Sequence, residues 1–228
     1  RSLLEYGAAG IIDPGLLDLA KGFHGAWPYL ELIAAETGIG DPLDARVVEA
    51  YWIGNDLLEN LDVTALGNSL RERFRPRAGR SWDFLAEAIP ERVLPHHSFH
   101  VLGVDPWVGL LDRDRGDTPL HVLDRCRIRW GRVVTARADQ VVVRSRPLLW
   151  DGKALSLGEQ REETAVASIA GQGFVERLQP GEWVALHWDW VCDRLDRRRL
   201  GNLQRYTNHH LEITNHRLAH PGPAMTLG

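Results

Sequence analysis

A cysteine and a histidine in the C-terminal half of the chain are the residue types of a metal site. Cys126 lies at the entry of a predicted strand, and His187 lies inside residues 183–192, which we predict to form one long strand. A thiolate and an imidazole together can hold a soft or borderline metal such as iron. The two residues are far apart along the chain, so only the fold can bring them together. The alternative is that Cys126 is a small core residue and His187 a surface or packed side chain.

A second group of possible metal ligands is the histidine cluster His96, His97 and His100. In an extended segment His96 and His100 share a face, and in a helix either His96 or His97 pairs with His100. Either geometry can bring two imidazoles to one metal ion. We predict that the cluster faces the junction between two domains, where binding sites often form. The alternative is structural, with the imidazoles bonded to backbone carbonyl groups.

Two further sets of polar residues fall on single helix faces. Glu49, Trp52 and Asp56 are spaced to line a cavity, or to belong to an ordinary core helix. The predicted C-terminal helix carries a carboxylate–imidazole stripe that is either a metal site or a solvated face. Its members are His209, Glu212, His216 and His220.

The elements that must position these residues indicate an α+β protein. Helical periodicity dominates residues 1–90, where Asp13-Pro14 and Asp41-Pro42 are helix-start signals and residues 82–89 form a further predicted helix. Residues 91–125 are rich in turn signals and form a connector that carries the histidine cluster. From residue 126 the period changes to that of strands, which predicts a small OB-like β-barrel. A helix from Asp196 to about Leu218 follows, so the third unit is residues 126–228.

The barrel segment resembles one family. Residues 126–134 read Cys-Arg-Ile-Arg-Trp-Gly-Arg-Val-Val, and residues 181–187 read Gly-Glu-Trp-Val-Ala-Leu-His. A Cys before the first strand, a following Gly, and a Gly-x-Trp/Tyr-Val-x-x-His strand are features of the HypC/HupF-type assembly chaperones of nickel–iron hydrogenases. The whole chain also resembles an uncharacterised bacterial family associated with hydrogenase gene clusters.

The resemblance implies a HypC-like barrel in which Cys126 and His187 hold iron, as a complex with cyanide and carbonyl ligands. It implies an accessory chaperone that binds the hydrogenase large subunit or another maturation protein, and the helical domain would replace a separate scaffold partner. The Cys of the resembled family stands at the mature N-terminus, whereas Cys126 lies inside the chain. Arg125, Arg127 and Arg129 flank Cys126 and would favour its thiolate if their side chains point inward.

Two other functions stay open. One is a metalloenzyme that uses a metal at His96, His97 and His100 with the barrel as a platform, although the chain has no His-Glu-x-x-His motif. The other is an interaction module without a metal. The net charge of −4 gives no reason to expect nucleic acid as a partner, and no apolar run approaches a membrane span of about 20 residues. The two cysteines fit a reducing, cytoplasmic compartment.

Overall fold

The computed structural model describes residues 4–6, 11, 13–62, 66, 93–104, 107–111 and 117–220. The labelled helices are α1 (Pro14–Lys21), α2 (Trp27–Glu36), α3 (Ala45–Trp52), α4 (His97–Phe99), α5 (Thr118–Cys126) and α6 (Arg197–Ala219). Shorter turns of helix are Asp56–Asn60, His100–Val104 and Val108–Leu110. The strands are β1 (Arg129–Arg137), β2 (Gln140–Ser145), β3 (Leu148–Trp150), β4 (Leu155–Leu157), β5 (Arg161–Val166), β6 (Trp183–His187) and β7 (Trp190–Leu195).

Five strands close into a barrel in the order β1–β2–β5–β7–β6. Neighbouring strands are antiparallel, except that β5 and β7 run parallel and pair through Val166 and Trp190. β3 and β4 form a separate hairpin, as the Asp151-Gly152 turn signal predicts. The α+β class is therefore confirmed, with N-terminal helices, a β-barrel and a C-terminal helix. The barrel interior is filled by small and branched side chains of Val133, Val141, Val143, Ala165, Val184, Leu186 and Val191.

The prediction of one strand over residues 183–192 is wrong. The chain reverses at Trp188, whose φ is +51°, and His187 pairs with Trp190 across a hairpin between β6 and β7. No glycine or proline marks this turn, and the alternating apolar residues continue through it, which is why the sequence pattern conceals it. The reversal places His187 at the end of β6, at the rim of the barrel.

Of the two predicted helix starts, one is confirmed and the other is displaced by three residues. Asp13 caps α1 by accepting hydrogen bonds from the backbone N–H groups of Gly15 and Leu16, as predicted. Asp41 instead accepts from the N–H of Leu43 in a turn, and the helix begins three residues later with Asp44 as its cap. The predicted helix over residues 82–89 lies outside the described residues. Among the described helices, none is both long and apolar enough to cross a bilayer.

α6 joins the N-terminal helices to the barrel. Tyr206 belongs to the hydrophobic cluster of the N-terminal helices, and Leu211 belongs to a cluster with residues of α5 and the β3–β4 hairpin. Leu203 packs in a third cluster with Ile53, which follows α3, and Ile128, which precedes β1. The helical segment and the barrel thus share a buried interface built on one face of α6.

Gly54 and Tyr206 pack closely in this interface. Gly54 has φ of +92°, and a Cβ at this position would lie 2.0 Å from Cδ2 of Tyr206. The Tyr206 hydroxyl donates to the carbonyl of Asn55 at 2.9 Å, and Asn202 donates to the carbonyl of Gly54 at 3.0 Å. Glycine is required here both for its backbone conformation and for its lack of a side chain.

We expect Gly54→Ala to lower the free energy of unfolding by roughly 3 kcal/mol or more, since it adds steric overlap to backbone strain. Gly152→Ala is the matched control, because Gly152 has φ of +88° but nothing within 4 Å of an added Cβ. Strain alone should cost the control about 1–2 kcal/mol. Urea denaturation of both variants measures the difference, and equal losses would contradict the close packing against Tyr206.

Candidate metal centre

Three side chains that can bind a metal meet where the connector touches the barrel. They are His97 from α4, Cys126 from the end of α5 and His187 from the end of β6, and each offers a ligand atom within 4.8 Å of the other two. The His97 and His187 rings are 5.4 Å apart between centroids. The structure thus brings together the Cys126–His187 pair of the barrel and one member of the histidine cluster.

α4 is oriented by polar contacts with α6. His96 caps α4 with its Nδ1, which accepts from the N–H of Ser98 at 3.1 Å. The Ser98 hydroxyl lies 2.7 Å from Nδ1 of His96 and 2.7 Å from Nδ1 of His210 on α6. Successive side chains on a helix diverge by about 100°. With Ser98 held against α6, His97 therefore projects toward the barrel, where its Nε2 lies 2.8 Å from the carbonyl oxygen of Cys126.

Hydrogen bonds from the turn of the β6–β7 hairpin to neighbouring residues hold His187 beside Cys126. The N–H of Trp188 donates to the carbonyl of Arg125 at 2.7 Å. The guanidinium of Arg129 donates to the carbonyl of Trp188. These two bonds hold the reversal after His187 against the end of α5 and the start of β1, so His187 lies beside Cys126.

The three arginines near Cys126 point into the structure and are paired with carboxylates. Arg127 is buried and bonds Asp124 at 2.8 Å, while Arg125 and Arg129 share Glu163. The sequence predicts that these positive charges would favour a thiolate at Cys126 if they face inward. They do face inward, but carboxylates compensate much of their charge.

Burial keeps both imidazoles of the site neutral. Desolvation lowers the pKa of His97 well below its ordinary value, and the nearby His187 ring adds to this effect. Desolvation and the charge of Arg129 lower the pKa of His187 to about 4. Nε2 of His187 is buried, and no described residue hydrogen-bonds to it. A neutral imidazole with an available lone pair is the form that binds a metal.

Trp52 of α3 covers the two histidines. Its ring centroid lies 4.5 Å from that of His97 and 5.5 Å from that of His187. Trp52 is one of the three residues predicted to line a cavity, and it therefore lies beside the site. Glu49 does not, since it forms ion pairs with Arg198 and Arg199 of α6.

The structure separates the predicted histidine triad. His96 stacks on Tyr206 at 5.3 Å and turns toward α6, because it is the extended residue before α4. His100 contacts Tyr29, with its Nδ1 3.4 Å from the tyrosine hydroxyl, and its ring is 6.4 Å from that of His97. Among the described residues, neither joins the ligand group. His97 contacts both the N-terminal helices and the barrel, so this member of the cluster does lie at the predicted junction.

His210 and Tyr51 are site neighbours that the sequence prediction omits. His210 is buried with Leu203, Thr207 and Thr214 on the inner stripe of α6, and its spacing of seven, three and four residues from them was the available signal. The predicted stripe of His209, Glu212, His216 and His220 faces mainly outward, with the last three exposed.

The ligand set is chemically suited to iron, zinc, cobalt or copper rather than to magnesium or calcium, because it combines a thiolate with imidazoles. A tetrahedral ion with bonds of about 2.0–2.3 Å places its ligands about 3.3–3.8 Å apart. The ligand atoms lie within 4.8 Å of one another, so small side-chain movements would bring them to these separations. Three protein ligands also leave one position of a tetrahedral ion for an outside ligand.

We expect zinc or cobalt to raise the Tm of the wild-type chain, since an ion at about 100 times its Kd stabilises the folded state by about 2.7 kcal/mol. His97→Gln should lose most of this metal-dependent shift because it removes one ligand. His100→Gln is the matched control and should keep the shift. Differential scanning calorimetry with and without metal measures both, and an equal loss in the two variants would place the site elsewhere.

Acid should destabilise the protein in part through His210. Burial lowers the pKa of His210 well below its ordinary value of 6.5, so below that pH the unfolded chain gains a proton that the folded chain excludes. His210→Asn removes this titration and retains a donor near the Ser98 hydroxyl. Between pH 7.5 and 5.5 the wild type should lose about 1.4 kcal/mol more unfolding free energy than the variant, by urea denaturation. Equal losses in the wild type and the variant would show that the pKa of His210 does not differ between the folded and unfolded states.

Comparison with known proteins gives a family without an assigned activity. The chain matches the model of a family of unknown function, DUF6390, over residues 2–221. No curated protein and no solved structure matches the chain. Because the matched region covers nearly the whole sequence, this protein belongs to the DUF6390 family.

Proposed function

We propose that this protein is an accessory chaperone of nickel–iron hydrogenase maturation that holds an iron intermediate at His97, Cys126 and His187. The observation that carries the proposal is the convergence of these three ligands, whose binding atoms lie within 4.8 Å of one another. Two of them are the Cys and His positions at which the barrel segment resembles the HypC/HupF-type chaperones.

The origin of His97 supports a fused scaffold. Cys126 and His187 come from the barrel and its entry, whereas His97 comes from the connector and is packed on α3 through Trp52. A barrel alone would offer two ligands. In this chain the N-terminal half supplies the third ligand, so it would take the place of a separate scaffold partner.

The chemistry of the site fits a carrier of iron. A thiolate and two neutral imidazoles bind a borderline metal, and the remaining coordination positions can carry the small ligands of an iron intermediate. Cys126 and His187 are partly exposed, so a client protein could contact these two residues at the rim of the barrel. The chaperone would use a thiolate from inside the chain, without the terminal amine that a mature N-terminal Cys has.

Exposure next to the site supports docking of a client. Trp188 immediately follows His187 and is 41% exposed at the tip of the hairpin. Tryptophan is the residue type most enriched at the energetic centres of protein interfaces. The hydrogen bonds of its backbone to Arg125 and Arg129 hold this side chain at a fixed distance from the metal ligands. A hydrogenase large subunit or another maturation protein would bind over this end of the barrel.

A metalloenzyme is the second candidate, and the number of ligands favours it. Catalytic zinc and iron sites commonly have three protein ligands and an open position for water or substrate. An enzyme of this chain would use His97, Cys126 and His187, since His96 and His100 turn away from the ligand group. It would retain its metal tightly and would need no hydrogenase client.

Infrared spectroscopy of protein purified anaerobically, from cells that also produce the hydrogenase maturation machinery, distinguishes the two functions. The chaperone should contain iron and show cyanide and carbonyl bands. Cys126→Ser should lose both, because it removes the thiolate ligand. Cys192→Ser is the matched control and should keep both, since burial raises the pKa of Cys192 to about 11 and its thiol contacts the carbonyl of Trp190.

Other results would decide against the chaperone. Bound metal without cyanide or carbonyl bands, lost in Cys126→Ser, would support the enzyme. Equal retention of iron in the two cysteine variants would show that Cys126 is not a ligand.

A further inference from the structure

A chain of three polar contacts runs from the metal site into the N-terminal helices. Nε2 of His97 lies 2.8 Å from the carbonyl oxygen of Cys126, and Nδ1 of the same ring lies 3.1 Å from the hydroxyl of Tyr51. The Tyr51 hydroxyl donates to the carbonyl of Gly25 at 2.9 Å. Both side chains are buried, with Tyr51 0% and His97 5% exposed. Water therefore has little access to relieve a mismatch among these contacts.

The three contacts need more protons than the two side chains hold. Each contact requires one hydrogen between its two heavy atoms. A neutral imidazole carries one such hydrogen and a tyrosine hydroxyl carries one, and the two carbonyl oxygens can only accept. The imidazole is neutral because a buried ring without a compensating charge disfavours the cationic form. One of the three contacts therefore lacks its hydrogen.

Three arrangements share the available hydrogens. In the first, Nε2–H of His97 donates to the carbonyl of Cys126 and the Tyr51 hydroxyl donates to Nδ1, so Tyr51 gives no hydrogen to the Gly25 carbonyl. In the second, the Tyr51 hydroxyl donates to Gly25 and Nδ1–H of His97 donates to Tyr51, so the lone pair of Nε2 faces the carbonyl oxygen of Cys126, which is unfavourable. In the third, Nε2–H donates to Cys126 and Tyr51 donates to Gly25, so the lone pairs of Nδ1 and the hydroxyl oxygen face each other. Only the second arrangement leaves Nε2 able to bind a metal.

A metal ion removes the conflict in the second arrangement. Bound to Nε2, it takes up the lone pair and supplies the positive charge that the missing hydrogen would have supplied. The contacts to Tyr51 and Gly25 are then both satisfied.

We propose that Tyr51 is the positioning residue of the metal centre: it accepts the Nδ1–H of His97, selects the tautomer whose Nε2 binds the metal, and anchors that ring to the Gly25 carbonyl. This inference rests on the proposed metal site and holds for either the chaperone or the enzyme. Hydrogen-bond acceptors behind a ligand imidazole commonly contribute about 10- to 100-fold to metal affinity. Gly25 precedes α2 and Tyr51 lies in α3, so the N-terminal helices would tune the affinity of a site whose other two ligands belong to the barrel side.

The test compares two tyrosine-to-phenylalanine substitutions, with cobalt as the probe. Tyr51→Phe removes the acceptor behind His97. Tyr29→Phe is the matched control, because Tyr29 stacks on Tyr51 at 5.4 Å and its hydroxyl contacts His100, which lies outside the ligand group. Titration followed by the cobalt absorption bands should show affinity about 10- to 100-fold weaker for Tyr51→Phe. Tyr29→Phe should stay within about threefold of the wild type.

The position of the His97 proton gives a second measurement that a merely structural role would not predict. Long-range ¹H–¹⁵N spectra of the zinc-bound wild type should show His97 protonated on Nδ1, with the metal on Nε2. This uses the wild-type chain alone, so it decides even if Tyr51→Phe fails to fold. Metal on Nδ1, or equal cobalt affinity in the two tyrosine variants, would overturn the role of Tyr51 and leave the metal site standing. A wild-type chain that binds neither cobalt nor zinc would overturn the site and this inference together.

Discussion

The contact between α4 and α6 is the constraint on which the site depends. His97 is the only ligand not carried by the barrel or its entry, and it reaches the other two because Ser98 is held between His96 and His210. α6 can provide this contact because its other buried residues, such as Leu203 and Tyr206, fix it against the barrel side and the N-terminal helices. The polar contact is buried, so its loss would leave unsatisfied groups away from water. The position of His97 is therefore set by the whole fold rather than by the connector itself.

The site combines neutral ligands with compensated charges. The two imidazoles are kept neutral by burial, while Arg125 and Arg129, near His187, are bound to the carboxylate of Glu163. Before metal enters, the strongest local charges thus belong to ion pairs and not to the ligands. Because neither imidazole carries a positive charge, an incoming cation would meet no charge repulsion from these two ligands.

The sequence predicts the parts of this structure that depend on local pattern. Helix capping at Asp13, the strand-to-helix change at Asp196 and the Gly152 hairpin all follow from residue type and spacing. The Cys126–His187 pair comes from resemblance and not from periodicity. The hairpin at Trp188 is hidden because a tryptophan with positive φ carries no turn signal.

The sequence pattern could not identify His97 as the third ligand, for a different reason. His96, His97 and His100 are equivalent as residue types, and which of them faces the barrel depends on where a single short turn of helix begins. A shift of one residue would rotate every side chain of α4 by about 100°. The start of α4 is set by His96, which caps the helix by accepting from the N–H of Ser98. It is also set by the contact of the Ser98 hydroxyl with His210, more than 100 residues away. The sequence can thus identify the histidine cluster as a candidate site, but it cannot show which of its histidines is the ligand.

The separation of the ligands bears on whether the metal would be kept or passed on. The ligand atoms lie within 4.8 Å of one another, whereas one tetrahedral ion holds its ligands about 3.3–3.8 Å apart. Any closure of the ligands would be opposed by the contacts that hold them, which include the His97 contact with the Cys126 carbonyl and the backbone hydrogen bond of Trp188. Energy spent on closure is subtracted from affinity, and a site that is fully formed beforehand binds more tightly. Any free energy spent on such closure would favour transfer of the metal over its permanent retention, which supports the proposed carrier over the alternative enzyme.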